Sequence, residues 1–276
     1  CSITGFGETG PYRDYPGFDP VIEAMSGFMS INGPPDRFEP YKAGVAIIDV
    51  LAGLHAVNLV TSLLIRRTST GVGGHVSVSL FDVAVASLVN VMSSFLVSGE
   101  LPERHGNDHP NIVPFGAFQA SDGLLMICVG NDRQWQSLCD ALGIPVEEFP
   151  GLTNNPQRVE KREQVRSLLE ERLGQSTASE WAAELMGNGV PAGEVRQLDQ
   201  VINDQHVIAN HLVQSIEHPE VGNIRLVGPP FLVDGKRPDI SIAPPILGSG
   251  QGHIQDWLDG PAMESFEFED DHTGGA

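Results

Sequence analysis

One charged residue inside a long apolar segment places the strongest constraint on this chain. From Ala43 through Ile65 the only formally charged residue is Asp49, which lies between Ile47-Ile48 and Val50-Leu51. Removing a carboxylate from water is costly unless it gains partners, so Asp49 needs a structural or a chemical role. The apolar pattern predicts a helix over about residues 50–66, ended by the basic pair and glycines of "RRTSTGVGG".

Two roles for Asp49 fit its position at the start of an apolar helix. As an N-cap, its carboxylate would accept hydrogen bonds from the free N–H groups of the first turn. As a nucleophile, it would be favoured as the anion by the helix dipole and kept poorly hydrated by Ile47, Ile48 and Leu51. Such a carboxylate can attack an activated carbonyl and form a covalent intermediate. The segment alone leaves both roles open.

The punctuation of the rest of the chain predicts its organisation. Residues 1–36 are rich in Gly and Pro and predict an irregular region with one short helix, and "HVSVSL" predicts a strand followed by a helix over about residues 81–97. From Phe115, two apolar runs around Ser121-Asp122-Gly123 predict a hairpin, and amphipathic helices follow, one opening with a capping box at Thr177–Glu180. Residues 112–195 are therefore predicted to form a small α+β domain.

The charge balance argues against two classes of partner. The chain has 36 acidic residues against 16 Lys and Arg, a formal net charge of −20 at pH 7, whereas nucleic acids and anionic membranes require a basic face. No stretch approaches 18 apolar residues without a polar interruption, which favours a soluble protein. We expect it in the cytoplasm, or in mitochondria in a eukaryote. Part of the acidic excess lies in residues 261–276, which are predicted to be a disordered tail.

Several common sites are poorly supported by the sequence. The Gly-rich stretches "GFGETG" and "GVGG" lack the remaining residues of a phosphate-binding loop, and the histidines do not have metal-ligand spacing, so no metal site is predicted. The three cysteines have no CxxC spacing and predict reduced, buried thiols. The chain begins without Met or a signal peptide, and Cys1-Ser2-Ile3-Thr4 has the character of a strand entered midway, which suggests a missing N-terminal part.

Six segments in order resemble one enzyme family. They are "CSITGFGETGPYRDYPGFDPVIEAMSGFMSINGPPD", "GVAIIDVLAGLHAV", "TGVGGHVSVSLFDVAVASL", "RHGNDHPNIVPFGAFQASDGLLMICVGNDRQW", "GVPAGEV" and "HPEVGNIRLVGPPF". Together, over residues 1 to about 258, they resemble the class III CoA-transferases, the family of formyl-CoA and carnitine-CoA transferases. The texts "RHGNDHPNIVPF" and "VGNDRQW" are most similar to dicarboxylate transferases of the succinyl-CoA:glutarate or mesaconate kind.

The resemblance implies an α/β fold with a Rossmann-like large domain, incomplete here, and an inserted small α+β domain. Residues 1–111 would be part of the large domain with a linker helix, residues 112–195 the small domain, and residues 196–260 a return to the large domain. The family forms an interlocked homodimer, which is implied for the full-length protein. Because the N-terminal section of the family is lacking, the resemblance leaves open whether this chain is active alone.

The resemblance also implies the chemistry and the site. Asp49 would be the nucleophile and would form an aspartyl anhydride and then an aspartyl-CoA thioester. CoA would move from an acyl-CoA donor, expected to be succinyl-CoA, to a small dicarboxylic acid. CoA contacts carry over to four residues of "PGFD" and to two residues of the glycine loop "HGNDHP". They are Pro16, Gly17, Phe18, Asp19, Gly106 and Asn107.

Three alternatives stay open at this point. Related acyl-CoA racemases have His in a "GHD" text, but this chain has Phe18 there, and a phenyl ring cannot move a proton. Intramolecular CoA transfer would use the same fold. A truncated, non-catalytic CoA-binding module, in which Asp49 is only a helix cap, is the alternative from a different class.

Overall fold

The computed structural model describes residues 1–252, 254 and 255 as helices joined by small sheets. The chain divides into two units, the first ending at Val195 and the second beginning at Arg196. The acidic tail predicted at residues 261–276 lies outside the described residues.

The first half of the first unit surrounds a two-stranded parallel pairing. Strand β1 pairs with β2, with Ile3 opposite Val78. Four helices and one 3₁₀ turn (Met29–Ile31) accompany this pair. In chain order the elements are β1 (Ser2–Thr4), α1 (Asp19–Met25), α2 (Ile47–Thr70), β2 (Ser77–Ser79), α3 (Leu80–Ser87) and α4 (Val89–Ser98). The core between them contains Ile22 of α1, Ile48 and Ala52 of α2, and Val83 of α3.

Helix α2 is longer than the pattern predicted and is buried on one side only. Its buried residues Ile48, Ala52 and Ala56 recur at four-residue spacing and therefore share one face. On other faces, Val50 and Leu54 are more than half exposed. By length and composition α2, or the bent α3–α4 pair, could cross a membrane, but a soluble core helix passes the same test. This is weak evidence for a membrane span and leaves a large apolar face to be explained.

The single helix predicted over residues 81–97 is instead two helices. Helices α3 and α4 meet at a bend of 74°. Val89 has a φ of 34°, outside the right-handed helical region, so the α-helix cannot continue through it. The predicted strand before α3 is present over Ser77–Ser79.

The second half of the first unit has its own sheet and helices. Strands β3 (Phe115–Gln119) and β4 (Leu124–Cys128) form the predicted hairpin, and β5 (Ala192–Glu194) adds antiparallel to β4. The helices are α5 (Asp132–Ala141), α6 (Asn155–Glu160), α7 (Arg162–Leu173) and α8 (Ala178–Gly187), with a 3₁₀ turn at Val146–Glu148. We refer to residues 113–195 as the small module.

The small module encloses a continuous core. Its buried residues include Trp135, Leu138, Leu169 and Leu185, and they come from every one of its longer helices. The side chains of Asn131, Asn154 and Thr177 cap α5, α6 and α8, and the capping box predicted at Thr177–Glu180 is confirmed. The N-termini of α5, α6 and α8 are thus capped by the residues that directly precede them, whereas α7 has no side-chain cap.

The second unit contains two short helices and a hairpin. They are α9 (Leu198–Ile202), α10 (Gln205–Ala209), β6 (Val213–His218) and β7 (Gly222–Val227), with β6 and β7 antiparallel and Ile216 opposite Ile224. The Arg237 guanidinium donates to the carbonyl oxygens of Asn210 and Pro229, so the segment after the hairpin lies against its start.

Candidate functional site

Asp49 lies in the first turn of α2 and its side chain is exposed. This differs from the poorly hydrated setting that the sequence predicted. The core side of the turn is occupied by Ile48, which is fully buried, while Ile47 and Leu51 are only partly buried. Successive side chains are about 100° apart around the axis of an α-helix, so Asp49 cannot share the buried face of Ile48. The carboxylate is therefore directed away from the core of this chain.

The interpretation of Asp49 as an N-cap is wrong, because another residue does the capping. Helix α2 begins at Ile47, and its N-cap residue is Ala46, which makes no side-chain cap. The Asp19 Oδ2 atom accepts hydrogen bonds from the backbone N–H of Ile48 at 2.8 Å and of Asp49 at 3.1 Å. The carboxylate of Asp49 is consequently not occupied by its own helix terminus.

A second acidic residue of α1 binds the segment that leads into this turn. Glu23 is fully buried, and its Oε2 atom accepts the backbone N–H of Ala43 at 2.8 Å. Burial raises the pKa of Glu23; the Ala43 N–H lowers it, and the hydrogen bond and charge of Asp19 raise it further. The entry to α2 thus rests on two neighbouring carboxylates of α1.

The segment 16–18, predicted to contact CoA, leads directly into this arrangement. Gly17 lies against Gly5, and a Cβ atom on Gly17 would be 2.7 Å from the Gly5 Cα. Phe18 is the N-cap residue of α1 and is 74% exposed, and Pro16 is exposed too. The predicted contact residues Pro16, Gly17 and Phe18 therefore lie next to the turn that carries Asp49. Asp19, by contrast, is only 4% exposed and its carboxylate is bound to that turn.

The glycine loop with Gly106 and Asn107 lies against the segment between α1 and α2. Gly106 has a φ of 61°, and a Cβ there would be 3.4 Å from the Cδ of Pro35. Arg104 donates to the carbonyl oxygens of Pro34, Arg37 and Phe38. These contacts hold the start of the loop on residues 34–38.

The other end of the glycine loop is held by the small module. Asp108 Oδ1 accepts from Arg166 Nη2 at 2.7 Å, and Arg166 also pairs with Glu170 at 3.0 Å. Burial lowers the pKa of Arg166, but the hydrogen bonds and charges of Asp108 and Glu170 outweigh it and raise the pKa. The loop that carries Gly106 and Asn107 is thus fixed at both ends, and the two residues themselves stay exposed.

A cavity of about 510 Å³ adjoins this loop. It is lined by Ile31, by α4 residues such as Asn90 and Ser94, and by His105 and Gly106 of the loop. Its volume suits a small organic ligand. Gly106 is the one predicted site residue on its wall.

The cysteines differ in exposure, and the acidic residues and histidines form no evident metal site in the described part of the chain. Burial raises the pKa of Cys139 to about 12, which leaves it a thiol at neutral pH, while Cys1 is exposed and departs from the prediction of buried thiols. Within residues 1–252, 254 and 255, no group of three or more His, Cys, Asp or Glu side chains is placed to hold a metal ion.

Sequence reasoning missed the positions of Asp19, Glu23 and Arg104 relative to their partners. The available signal was weak: Asp19 and Glu23 are one helical turn apart, and Ala46 cannot supply a side-chain cap. Their partners lie 20 to 30 residues away in the sequence for the two acids, and no local pattern identifies such a pair.

The sequence of the chain is similar to a family of known enzymes. A family model described as CoA-transferase family III matches residues 1–251. The chain is 36% identical over 255 residues to the succinate–glutarate CoA-transferase of Agrobacterium fabrum, covering 92% of this chain and 64% of that protein. It is 34% identical over 256 residues to the succinyl-CoA:glutarate CoA-transferase of Homo sapiens, covering 92% and 58%.

A solved structure shares the fold. A CaiB/BaiF family protein from Brucella suis superposes with a TM-score of 0.79 at 37% identity, covering 94% of this chain and 67% of that one. The mixed helix and sheet architecture of the chain therefore matches that of the Brucella suis protein. The chain spans 58% to 64% of the length of the two curated relatives, so what those whole proteins do comes to this chain only by inference.

Proposed function

The chain belongs to CoA-transferase family III, and we propose that the protein it represents moves CoA from an acyl-CoA to a small carboxylic acid through Asp49. The family match confirms the resemblance found in the motifs. One observation carries the role of Asp49: its carboxylate is exposed at the start of α2 while Asp19 satisfies the N–H groups of that turn. A carboxylate that extends from a held helix N-terminus and does not cap that helix is suited to nucleophilic attack.

The reaction consists of four exchanges in which each bond formed replaces one broken. The Asp49 carboxylate attacks the thioester carbonyl, and the C–S bond breaks to give a mixed anhydride and CoA thiolate. The thiolate attacks the Asp49 carbonyl, which releases the donor acid and leaves an Asp49–CoA thioester. The acceptor carboxylate attacks that thioester, which releases CoA thiolate and forms a second anhydride. The thiolate then attacks the acceptor's carbonyl in this anhydride, which gives the acceptor acyl-CoA and frees the Asp49 carboxylate.

Exclusion of water is the main demand that this scheme makes on the protein. Water would hydrolyse either the anhydride or the thioester, so the site must be covered during turnover. Asp49 is exposed in the present chain, and the proposal therefore includes a cover supplied by the full-length assembly. Carboxylate and thioester chemistry supply every step, so the proposal includes no metal.

The substrates are proposed from the relatives and from the loop text. The two curated relatives are named for succinate or succinyl-CoA and glutarate, and "RHGNDHPNIVPF" is most similar to dicarboxylate transferases. We infer succinyl-CoA as donor and a small dicarboxylic acid as acceptor. Pro16, Gly17, Phe18, Gly106 and Asn107 stay the proposed contacts for CoA.

The assembly proposed for the full-length protein is a cytoplasmic, interlocked homodimer with a complete Rossmann-like domain. The apolar face of α2 supports the homodimer, because Val50, Leu54 and Val57 are each more than half exposed in the present chain. Contiguous apolar surface of this kind is usually covered by another protein surface. A second copy of the full-length chain is the occupant we propose.

The role of Asp49 is tested by Asp49→Asn in the full-length protein. Transfer of CoA from succinyl-CoA to glutarate should fall by at least about 1,000-fold, because an amide cannot form the anhydride. Asp199→Asn is the matched control, an exposed aspartate in the first turn of α9, and should retain turnover. Wild-type turnover by a folded Asp49→Asn protein would reject the proposal.

A further inference from the structure

The first turn of α2 needs acceptors that its own sequence does not provide. The opening N–H groups of any helix lack partners within the helix. At α2 the N-cap residue Ala46 has no side-chain oxygen, so the N–H groups of Ile48 and Asp49 depend on another element. That element is α1, through the Oδ2 atom of Asp19.

The bond to Asp49 fixes the backbone from which the nucleophile extends. Asp19 Oδ2 lies 3.1 Å from the Asp49 nitrogen and 2.8 Å from the Ile48 nitrogen, and the Asp19 side chain is buried. Hydrogen bonds to a buried carboxylate are strong and geometrically restrictive. Since Asp19 directly follows Phe18, one side chain joins the exposed segment 16–18 to the turn that carries Asp49.

Glu23 holds a second point on the same chain segment. It lies one turn after Asp19 on α1, and its Oε2 binds the N–H of Ala43, four residues before α2 begins. Its other oxygen, Oε1, is buried as well. Asp19 and Glu23 therefore bind the first turn of α2 and the segment before it from one face of α1.

The surroundings of Glu23 raise its pKa. Burial raises the pKa of Glu23; the Ala43 N–H lowers it, the hydrogen bond and charge of Asp19 raise it, and Lys42 lowers it. The two carboxyl groups therefore act on each other as well as on the backbone that leads into α2.

We propose that Asp19 and Glu23 are positioning residues, which hold the first turn of α2 so that Asp49 faces the substrate bound along segment 16–18. The proposal rests on the proposed function of Asp49. It changes the role assigned to Asp19 by resemblance, because its buried carboxylate acts on the protein backbone and not on CoA. Placement matters at this scale, because a displacement of 1 Å at a reacting group costs on the order of 100-fold in rate.

Two substitutions of Asp19 separate its placement from its charge. Asp19→Asn keeps an acceptor oxygen in place and removes the charge, whereas Asp19→Glu keeps the charge and moves the acceptor by one methylene. With succinyl-CoA and glutarate in the full-length protein, we expect kcat of Asp19→Asn within about fivefold of wild type and kcat of Asp19→Glu lower by about 100-fold. The KM for succinyl-CoA should change by no more than about twofold in both variants.

Glu23 is tested in the same assay. Glu23→Gln retains an acceptor for the Ala43 N–H and should keep near wild-type kcat, whereas Glu23→Leu should lower kcat with little change in KM. Thr177→Ala is the matched control, because it removes a helix cap of the small module and should reduce stability without changing kcat. Circular dichroism establishes that each variant is folded, and Asp19→Ala replaces Asp19→Glu if the latter does not fold.

The outcomes are distinct for this inference and for the function on which it rests. If Asp49→Asn is inactive while folded Asp19→Asn raises the KM for succinyl-CoA at unchanged kcat, Asp19 is a CoA contact and the positioning role is rejected. The positioning role is also rejected if Asp19→Glu, or Asp19→Ala in its place, retains wild-type kcat. If Asp49→Asn itself retains turnover, the proposed function fails first, whatever the Asp19 variants do.

Discussion

The small module and the region around Asp49 satisfy their helix ends in different ways. In the small module, Asn131, Asn154 and Thr177 cap the helices that they immediately precede. At α2 the cap comes from Asp19, 29 and 30 residues earlier in the chain. Long-range capping couples two elements, so a displacement of α1 would be transmitted to Asp49.

The two regions also differ in how completely they cover their apolar residues. Leu169 and Leu185 of the small module are fully buried within its own core. Helix α2 buries Ile48, Ala52 and Ala56 and leaves Leu54 58% exposed. The module thus encloses a continuous core, whereas α2 exposes apolar residues beside the site. In the proposed homodimer, the partner would cover this surface and close the site.

The largest effect expected from this contrast is a difference between two identical substitutions. Leu169→Ala should lower the free energy of unfolding by about 2–5 kcal/mol, because it leaves a cavity in a closed core. Leu54→Ala should change it by less than about 0.5 kcal/mol in the chain of residues 1–276. Urea unfolding of both variants measures the difference, and equal losses would show that the face of α2 is already buried.

A substitution of intermediate effect tests the packing next to the site. Gly17→Ala should destabilise the chain by about 1–3 kcal/mol, because its Cβ would be 2.7 Å from the Cα of Gly5. Gly187→Ala, near the end of α8 with no atom within 4 Å of its Cβ, should be neutral or stabilising by up to about 1 kcal/mol. Thermal unfolding of the pair provides the comparison. A neutral Gly17→Ala would mean that segment 16–18 is not held against Gly5 in solution.

The smallest effect is a pH dependence at Glu23. Burial and then Asp19 raise the pKa of Glu23 above its ordinary 4.5, against the Ala43 N–H and Lys42, so the folded state binds more protons than the unfolded state above about pH 4.5. Stability from this group is present below pH 4.5 and is lost as pH rises through the folded pKa. Glu23→Gln should therefore gain stability relative to wild type as pH rises through this window.

Urea unfolding at a series of pH values measures that trend. Glu184→Gln, the same change at an exposed position of α8, serves as the control and should follow wild type. Parallel curves for wild type and Glu23→Gln would contradict the buried, raised-pKa setting of Glu23.

The parts of the structure that local sequence determines were predictable, and those that depend on distant contacts were not. The hairpin around Asp122 and the capping box at Thr177 follow from neighbouring residues, and both are present. Asp49 was identified from its apolar surroundings and from the family motif, but its exposure and the cap by Asp19 depend on how α1 packs on α2. The break at Val89 was missed because the apolar pattern runs through it without interruption.

A covalent bond to Asp49 is the central requirement of the proposed mechanism. The full-length protein is incubated with succinyl-CoA, quenched with hydroxylamine, and its peptides are analysed by mass spectrometry. An anhydride or thioester at Asp49 reacts with hydroxylamine, so we expect a hydroxamate on the Asp49 peptide that requires succinyl-CoA and is absent from Asp49→Asn. Sustained CoA transfer with an unmodified Asp49 peptide would contradict the account.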